Sequence, residues 1–296
     1  MSVAQRMLDT SLVRRNDGVR SFAVAAWLGW QIESNWADPF LFAIYSIVRP
    51  VASALILVVM YSVITDAAFG EPIFPYIYLG NALYILVGQI ITGVSWAIID
   101  DREHYRMAKH LYTAPISGYA YLFGRGIARI IIGSISVVIT IVFGVVAFKL
   151  PVSLVQIDWT LLLFGLALGT VALASLGLLI GAWTMTMARH FWSVGEALAG
   201  GMYLFSGAIF PLDVLPAWLR WIGFLFPVTY WLELSRRALL GQAALGFPTF
   251  AGWSNAALLG VLAGFTVVLT LGSIRFYGWA LNRAKDEGML DMESSY

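Results

Sequence analysis

The stretch Phe210–Gly241, FPLDVLPAWLRWIGFLFPVTYWLELSRRALLG, decides the fold. It is too apolar and aromatic for an ordinary loop. Pro211, Pro216 and Pro227 interrupt it, and it carries too many charges for a clean membrane span. Such a segment reaches membrane depth only when buried in protein or lying along the interface, because lipid offers the backbone no hydrogen-bond partner. Pro227 divides it into two expected short helices, Leu215–Phe226 and Val228–Leu240. Trp218, Trp221, Tyr230 and Trp231 suit an outer interface. Arg236 and Arg237 can reach outer headgroups or an anionic substrate. The alternative is a purely structural re-entrant cap.

The rest of the chain is membrane-like. Hydrophobic residues make up 60% and charged residues 12%, against about 25% charged in a soluble domain. Net charge is +1, so no nucleic acid or other polyanion partner is implied. With no cysteine, disulfides and thiolate metal sites are excluded. No secretory leader is expected. The first apolar run begins near Phe22, and no small-residue cleavage site closes it.

Six apolar segments have the roughly 20 residues a bilayer requires: Phe40–Thr65, Pro75–Ile98, Tyr119–Phe148, Trp159–Trp183, Phe191–Phe210 and Trp253–Trp279. Ahead of them, Phe22–Trp36 reads as an interfacial helix. The expected fold is therefore an all-α membrane protein, a single domain over residues 1–296. Residues 1–38 form a cytoplasmic start and interfacial helix, and 39–210 the first five spans. Residues 211–241 form an outer re-entrant hairpin, 253–280 the sixth span and 281–296 a cytoplasmic tail. Lys and Arg set the orientation. With the N-terminus inside, Arg6, Arg14, Arg15, Arg20, Arg102, Arg106, Lys109, Arg189, Arg283 and Lys285 all fall inside. Arg125, Arg129 and Arg275 lie near cytoplasmic helix ends, where they can snorkel. Gly165/Gly169, Gly177/Gly181 and Gly260/Gly264 permit close helix approach, within one subunit in preference to a dimer seam.

The first cytoplasmic loop reads IDDREHYRMAKHLYTAPISG, Ile99–Gly118. Asp100 and Asp101 suit a helix N-terminus. Met107, Leu111 and Ala114 then make one apolar stripe, flanked by Tyr105 and Tyr112, and Pro115 and Gly118 stop the helix. A short helix with charges and an exposed apolar stripe is suited to being gripped by a soluble partner. The plainer alternative is a solvated connector. Two charges lie within expected spans: Arg49, before the kinking Pro50, and Glu196. Such charges face a cavity or a partner, which here includes each other.

Several chemistries are missing from the sequence. Lys109, Lys149 and Lys285 follow Ala, Phe and Ala, so there is no GxxxxGK[ST] P-loop. The three histidines fall in expected loops, and no zinc-binding HExxH pair or GxSxG elbow occurs. No enzymatic activity is expected within this chain.

The order FP…LP…W…PVTY…R in the quoted segment, with the loop DDREHYRMAKHLYTAPIS, resembles the membrane subunit of type-2 ABC exporters, the ABC-2 type transporter permease family. The resemblance covers nearly the whole chain. It implies a half-transporter in the cytoplasmic (inner) membrane, moving an amphipathic drug, lipid or glycolipid outward. A second permease subunit, as a homodimer in preference to a heterodimer, would complete the pathway. Two separate nucleotide-binding ATPase subunits would dock below, holding the ATP and magnesium; this chain would hold no cofactor. By position, Asp101, Arg102, Glu103, Arg106, Met107, Leu111 and Tyr112 would form the coupling surface. Pro211, Pro216, Trp218, Pro227, Tyr230, Arg236 and Arg237 would belong to the outer gate. The region before the first span, WLGWQIESNWADPF, lacks the Arg-Asp-rich segment of the polysaccharide branch. A lone secondary transporter or channel would need inverted repeats or a chain of intramembrane acids. A membrane-embedded transferase would need a clustered acidic or histidine site. Neither pattern is evident.

Overall fold

The computed structural model describes residues 17–34, 39–66, 69–113, 116–187, 194–241 and 248–289, and these are helical, with no strand among them. The helices are α1 (Asp17–Ser34), α2 (Pro39–Thr65), α3 (Ile73–Ile99), α4 (Ala108–Thr113), α5 (Gly118–Phe148), α6 (Trp159–Met185), α7 (Val194–Phe205), α8 (Ala217–Phe224), α9 (Pro227–Leu240) and α10 (Asn255–Asp286).

Local chemistry sets many of the boundaries. Three helices open on a side chain that accepts one of the first free backbone N–H groups. Ser117 caps α5, Asp158 caps α6 through Leu161 N–H at 2.9 Å, and Ser254 caps α10. Pro227 opens α9, where its missing N–H costs nothing. The hairpin helices α8 and α9 thus fall within two residues of the expected bounds.

α3 is apolar on nearly every face, as a helix at the centre of a bundle must be. Most of its residues from Phe74 to Ile99 are buried, and it packs against α2, α5, α6, α7 and α9. α10 stands at the other extreme, with 22% of its most apolar window buried against 67% for α3. Its bare face, with Val267, Val268 and Leu271, suits lipid.

α1 is a packed member of the bundle. Ser117 N–H donates to Ser21 Oγ at 3.3 Å, and Arg129 pairs with Glu33 at 2.6 Å. Both pairs are 96 residues apart, so α1 and α5 run in the same direction. Gly29 and Gly124 let the two backbones touch; a Cβ on either would lie 2.6 Å from a carbonyl oxygen of the opposite helix. Val19, Phe22, Trp27 and Trp30 point outward, which keeps the apolar face expected of an interfacial helix.

Among the described residues, five helices are long and apolar enough to cross a membrane: α2 over Ser46–Thr65, α3 extended to His104, α5, α6 and α10. The expected span Phe191–Phe210 differs. Residues 191–193 lie outside the described residues, and the described part of α7 covers 12 residues, about 18 Å of rise against a hydrocarbon core of roughly 30 Å. The chain turns at Ser206–Gly207, where Gly207 takes φ 79°, a conformation that ends a helix.

The three glycine pairs divide cleanly. Gly177 and Gly181 face α3; a Cβ on Gly177 would lie 2.7 Å from the Ile91 carbonyl. Gly169 receives the Trp231 ring of α9, whereas Gly260 and Gly264 face open space. Gly177→Ala should therefore destabilise the fold by about 1–3 kcal/mol through overpacking. Gly260→Ala should be neutral or stabilising by up to about 1 kcal/mol. Thermal midpoints of the solubilised chain test this, and equal losses in both variants would refute the assignment of the two faces.

Candidate functional site

Three regions hold the residues singled out by sequence. The first follows α3. The helix does not stop at Ile99 but widens into a π-helical turn, Asp100–His104. Arg106, at φ 51°, then reverses the chain, and Met107 N–H reaches back to the Asp101 carbonyl at 2.9 Å. The short helix α4 follows. Asp100 and Asp101 thus sit at a helix C-terminus, not at the expected N-terminus. There the helix dipole opposes their charge, and a compensating cation is required.

Arg125 of α5 supplies it, with its guanidinium 3.4 Å from Asp101 and both side chains buried. Arg102 is buried too. It bonds Glu103 at 2.8 Å and donates to the Thr184 carbonyl at the end of α6, at 3.3 Å. This corrects two expectations. Asp101 and Arg102 are not part of an exposed docking face; they anchor the loop to α5 and α6. Arg125 does not snorkel but pairs inside the bundle. The exposed positions are His104, Tyr105, Arg106 and His110, with Glu103, Met107 and Leu111 half-buried. The side chain of Tyr112 lies outside the described residues.

The second region is α8–α9. Trp218 is exposed and Pro216 stands at the surface, while Pro211 and Pro227 are buried. Tyr230 is buried and donates to the Phe224 carbonyl at 3.0 Å. Arg236 and Arg237 are also buried, so their guanidinium groups do not reach headgroups. Arg236 donates to the Gly207 carbonyl at 2.7 Å and lies 3.7 Å from the centre of the Tyr76 ring. Arg237 pairs with Glu233 at 2.9 Å and donates to the Phe250 and Trp253 carbonyls, each at 2.7 Å.

The third region is a polar groove within the apolar bundle. A cavity of about 420 Å³ is lined by Glu33, Ser46, Arg49, Gln89, Thr92, Trp96, Arg129, Ser136 and Glu196. A second, of about 410 Å³, continues from it past Ser53, Asn81, Tyr84, Gly88, Ala199 and Tyr203. The two share Arg49, Pro50, Gln89, Thr92 and Ser136, so they form one groove walled by α1, α2, α3, α5 and α7. The structure brings Arg49 and Glu196 to this groove, both exposed to it, with no ion pair between them among the described residues. Pro50 lines the groove as well, and it cannot give the Ser46 carbonyl its helical bond. Sequence reasoning missed Glu33, Arg129, Gln89 and Asn81 here. A polar residue on a predicted span was the available signal, but which of them share a cavity is set by packing.

The family model described as ABC-2 type transporter matches residues 23–240. A protein named "Probable multidrug ABC transporter permease YbhR" from Escherichia coli (strain K12) is 23% identical over 174 residues, covering 58% of this chain and 45% of that protein. The protein of the same name from Escherichia coli O157:H7 matches equally. The matched region thus spans less than half the length of these relatives.

Asp101→Ala would leave the Arg125 guanidinium buried without its carboxylate and should cost about 3–5 kcal/mol. Arg106→Ala, five residues on and exposed, should leave the thermal midpoint nearly unchanged. A midpoint unaffected by Asp101→Ala would overturn the anchoring role of that pair.

Proposed function

Because the chain belongs to the ABC-2 type transporter family, we propose that it is the membrane-spanning permease subunit of an ATP-driven exporter of amphipathic substrates. The observation that carries this reading is the continuity of α3. Its midsection lines the polar groove, and its end becomes the π-turn and the exposed loop before α4. A substrate path and a docking segment thus share one rigid element. The multidrug description of the Escherichia coli relatives fits an amphipathic cargo.

On this reading the chain itself is not an enzyme, and ATP and magnesium bind a separate nucleotide-binding subunit, present in two copies. Two permease subunits, as a homodimer in preference to a heterodimer, close the groove into a pathway. Both termini lie in the cytoplasm and the chain resides in the inner membrane. α7 with the turn at Ser206–Phe210 forms the sixth crossing, and α8–α9 folds back at the outer side as the gate. The docking face is built from Tyr105, Arg106 and His110, with Met107 and Leu111 beneath them. ATP closes the nucleotide-binding subunits, and the loop shifts the bundle between inward- and outward-facing states by linkage.

Affinity purification of the tagged chain from its native membrane in mild detergent should recover a P-loop ATPase in stoichiometric amount. Arg106→Glu combined with His110→Asp should reduce substrate-stimulated ATP hydrolysis of that complex by about tenfold while leaving the permease folded. Recovery of the chain alone, under conditions that preserve known complexes, would favour an autonomous transporter. Full stimulation of the double variant would relocate the docking face.

A further inference from the structure

We propose that the groove takes monovalent organic cations with an apolar body, the positive centre directed to Glu196 on α7. Transport of such a ligand rests on the exporter reading; its binding does not.

The state of each charge along the groove carries the argument. Four ionised side chains line the first cavity, Glu33, Arg49, Arg129 and Glu196, and Arg49 lines the second as well. Three of the four are engaged by the protein. Glu33 and Arg129 pair at 2.6 Å where α1 meets α5. Arg49, on α2, has a contact of its own within the protein. The Glu196 side chain is exposed at the groove and makes no hydrogen bond or ion pair among the described residues. The charge left open to a ligand is therefore negative. Intramembrane charges face a cavity or a partner. Glu196 has the cavity, and a cation entering it supplies the partner. An anion meets the opposite balance: Glu196 repels it, and it finds both arginines already engaged.

Room for an apolar body lies beside the carboxylate. Glu196, Ala199, Gly200 and Tyr203 line the groove at intervals of three and four residues, so they share one face of α7. From Glu196 to Tyr203 that face runs about 10 Å by helical rise. Gly200, and Gly88 on the α3 wall, keep the groove wide: a Cβ on either would enter open space. At the far end of this face the Tyr84 and Tyr203 rings lie 4.7 Å apart. Their hydroxyls donate to the Ala199 carbonyl and to Asn81 Oδ1, so what the two residues add to the groove is chiefly ring surface. Aromatic surface packs an apolar body well, and its electron-rich face favours a cation over an anion.

The test is equilibrium binding of two isosteric radiolabelled ions, tetraphenylphosphonium and tetraphenylborate, to the full chain in maltoside micelles, with partition into empty micelles subtracted. The native chain should bind the phosphonium about tenfold more tightly than the borate. Glu196→Asp should keep that order, Glu196→Gln should abolish it and Glu196→Lys should reverse it. Gly200→Leu, which fills the open face of α7 without changing any charge, should weaken phosphonium binding. A general loss of fold would weaken both ions together and could not reverse their order, and a monodisperse elution profile is required of each variant. Equal binding of the two ions by the native chain, or a phosphonium preference that survives in Glu196→Gln and Glu196→Lys, would overturn the proposal. In the assembled complex, phosphonium binding without any ATPase stimulation would keep the cation site and sink the exporter reading. Stimulation by both ions alike, undiminished in Glu196→Gln, would do the reverse.

Discussion

A charge inside an apolar bundle is tolerated only with a partner, and this constraint organises the whole molecule. It is clearest in α9. Arg237 reaches four partners at once, Glu233 on its own helix and, at the entry to α10, the Phe250 and Trp253 carbonyls and Asn255 Oδ1. Arg236, its neighbour, points the other way, to the Gly207 turn and the Tyr76 ring of α3. Two adjacent cations therefore tie together four parts of the chain that are remote in sequence. The same device recurs at the opposite end of α3, where Arg125 holds Asp101 and Arg102 holds the last turn of α6. The bundle is closed at both ends of its central helix by buried guanidinium groups.

Between these two ends the pattern changes. In the groove, Glu33 and Arg129 pair between α1 and α5, while Arg49 lines the α2 wall and Glu196 the α7 wall. The charges at the two ends of α3 are buried, whereas those that line the groove are half-buried or exposed. By depth alone Arg49 and Arg129 look alike, roughly 15 Å and 17 Å into their helices by rise per residue. Arg129 has its carboxylate partner, Glu33, at 2.6 Å on α1.

Much of the fold was legible because its signals are local. Long apolar runs gave α2, α3, α5, α6 and α10, and the prolines gave α8 and α9. The end of α7 at Phe205 was harder to read, since it depends on a glycine turn inside an otherwise apolar run. Non-local facts were not legible at all. Asp101 and Arg102 look like surface residues in a charged loop until Arg125 and Thr184 arrive beside them. Arg236 and Arg237 look like interface cations until a turn and a loop supply carbonyl acceptors. α1 looked free because Gly29 and Gly124, which let it dock, carry no signal of their own. The groove was legible only as two misplaced charges, since its Gln, Thr, Ser and Asn residues come from separate helices.

On the exporter reading, the position of the π-turn gives the molecule a mechanical logic. α3 carries the groove wall from Asn81 to Trp96 and then, without a break, the segment Asp100–His104. A π-helical turn has one residue more per hydrogen-bonded ring than an α-helix, and such turns concentrate where a helix must adapt. Close to this turn, a small cavity is lined by Gly29, Glu33, Asp100, Arg125 and Arg129. The Glu33–Arg129 ion pair and Arg125, the partner of Asp101, thus border the same space. On that reading, a force on the loop that draws Asp101 from Arg125 acts beside the Glu33–Arg129 contact.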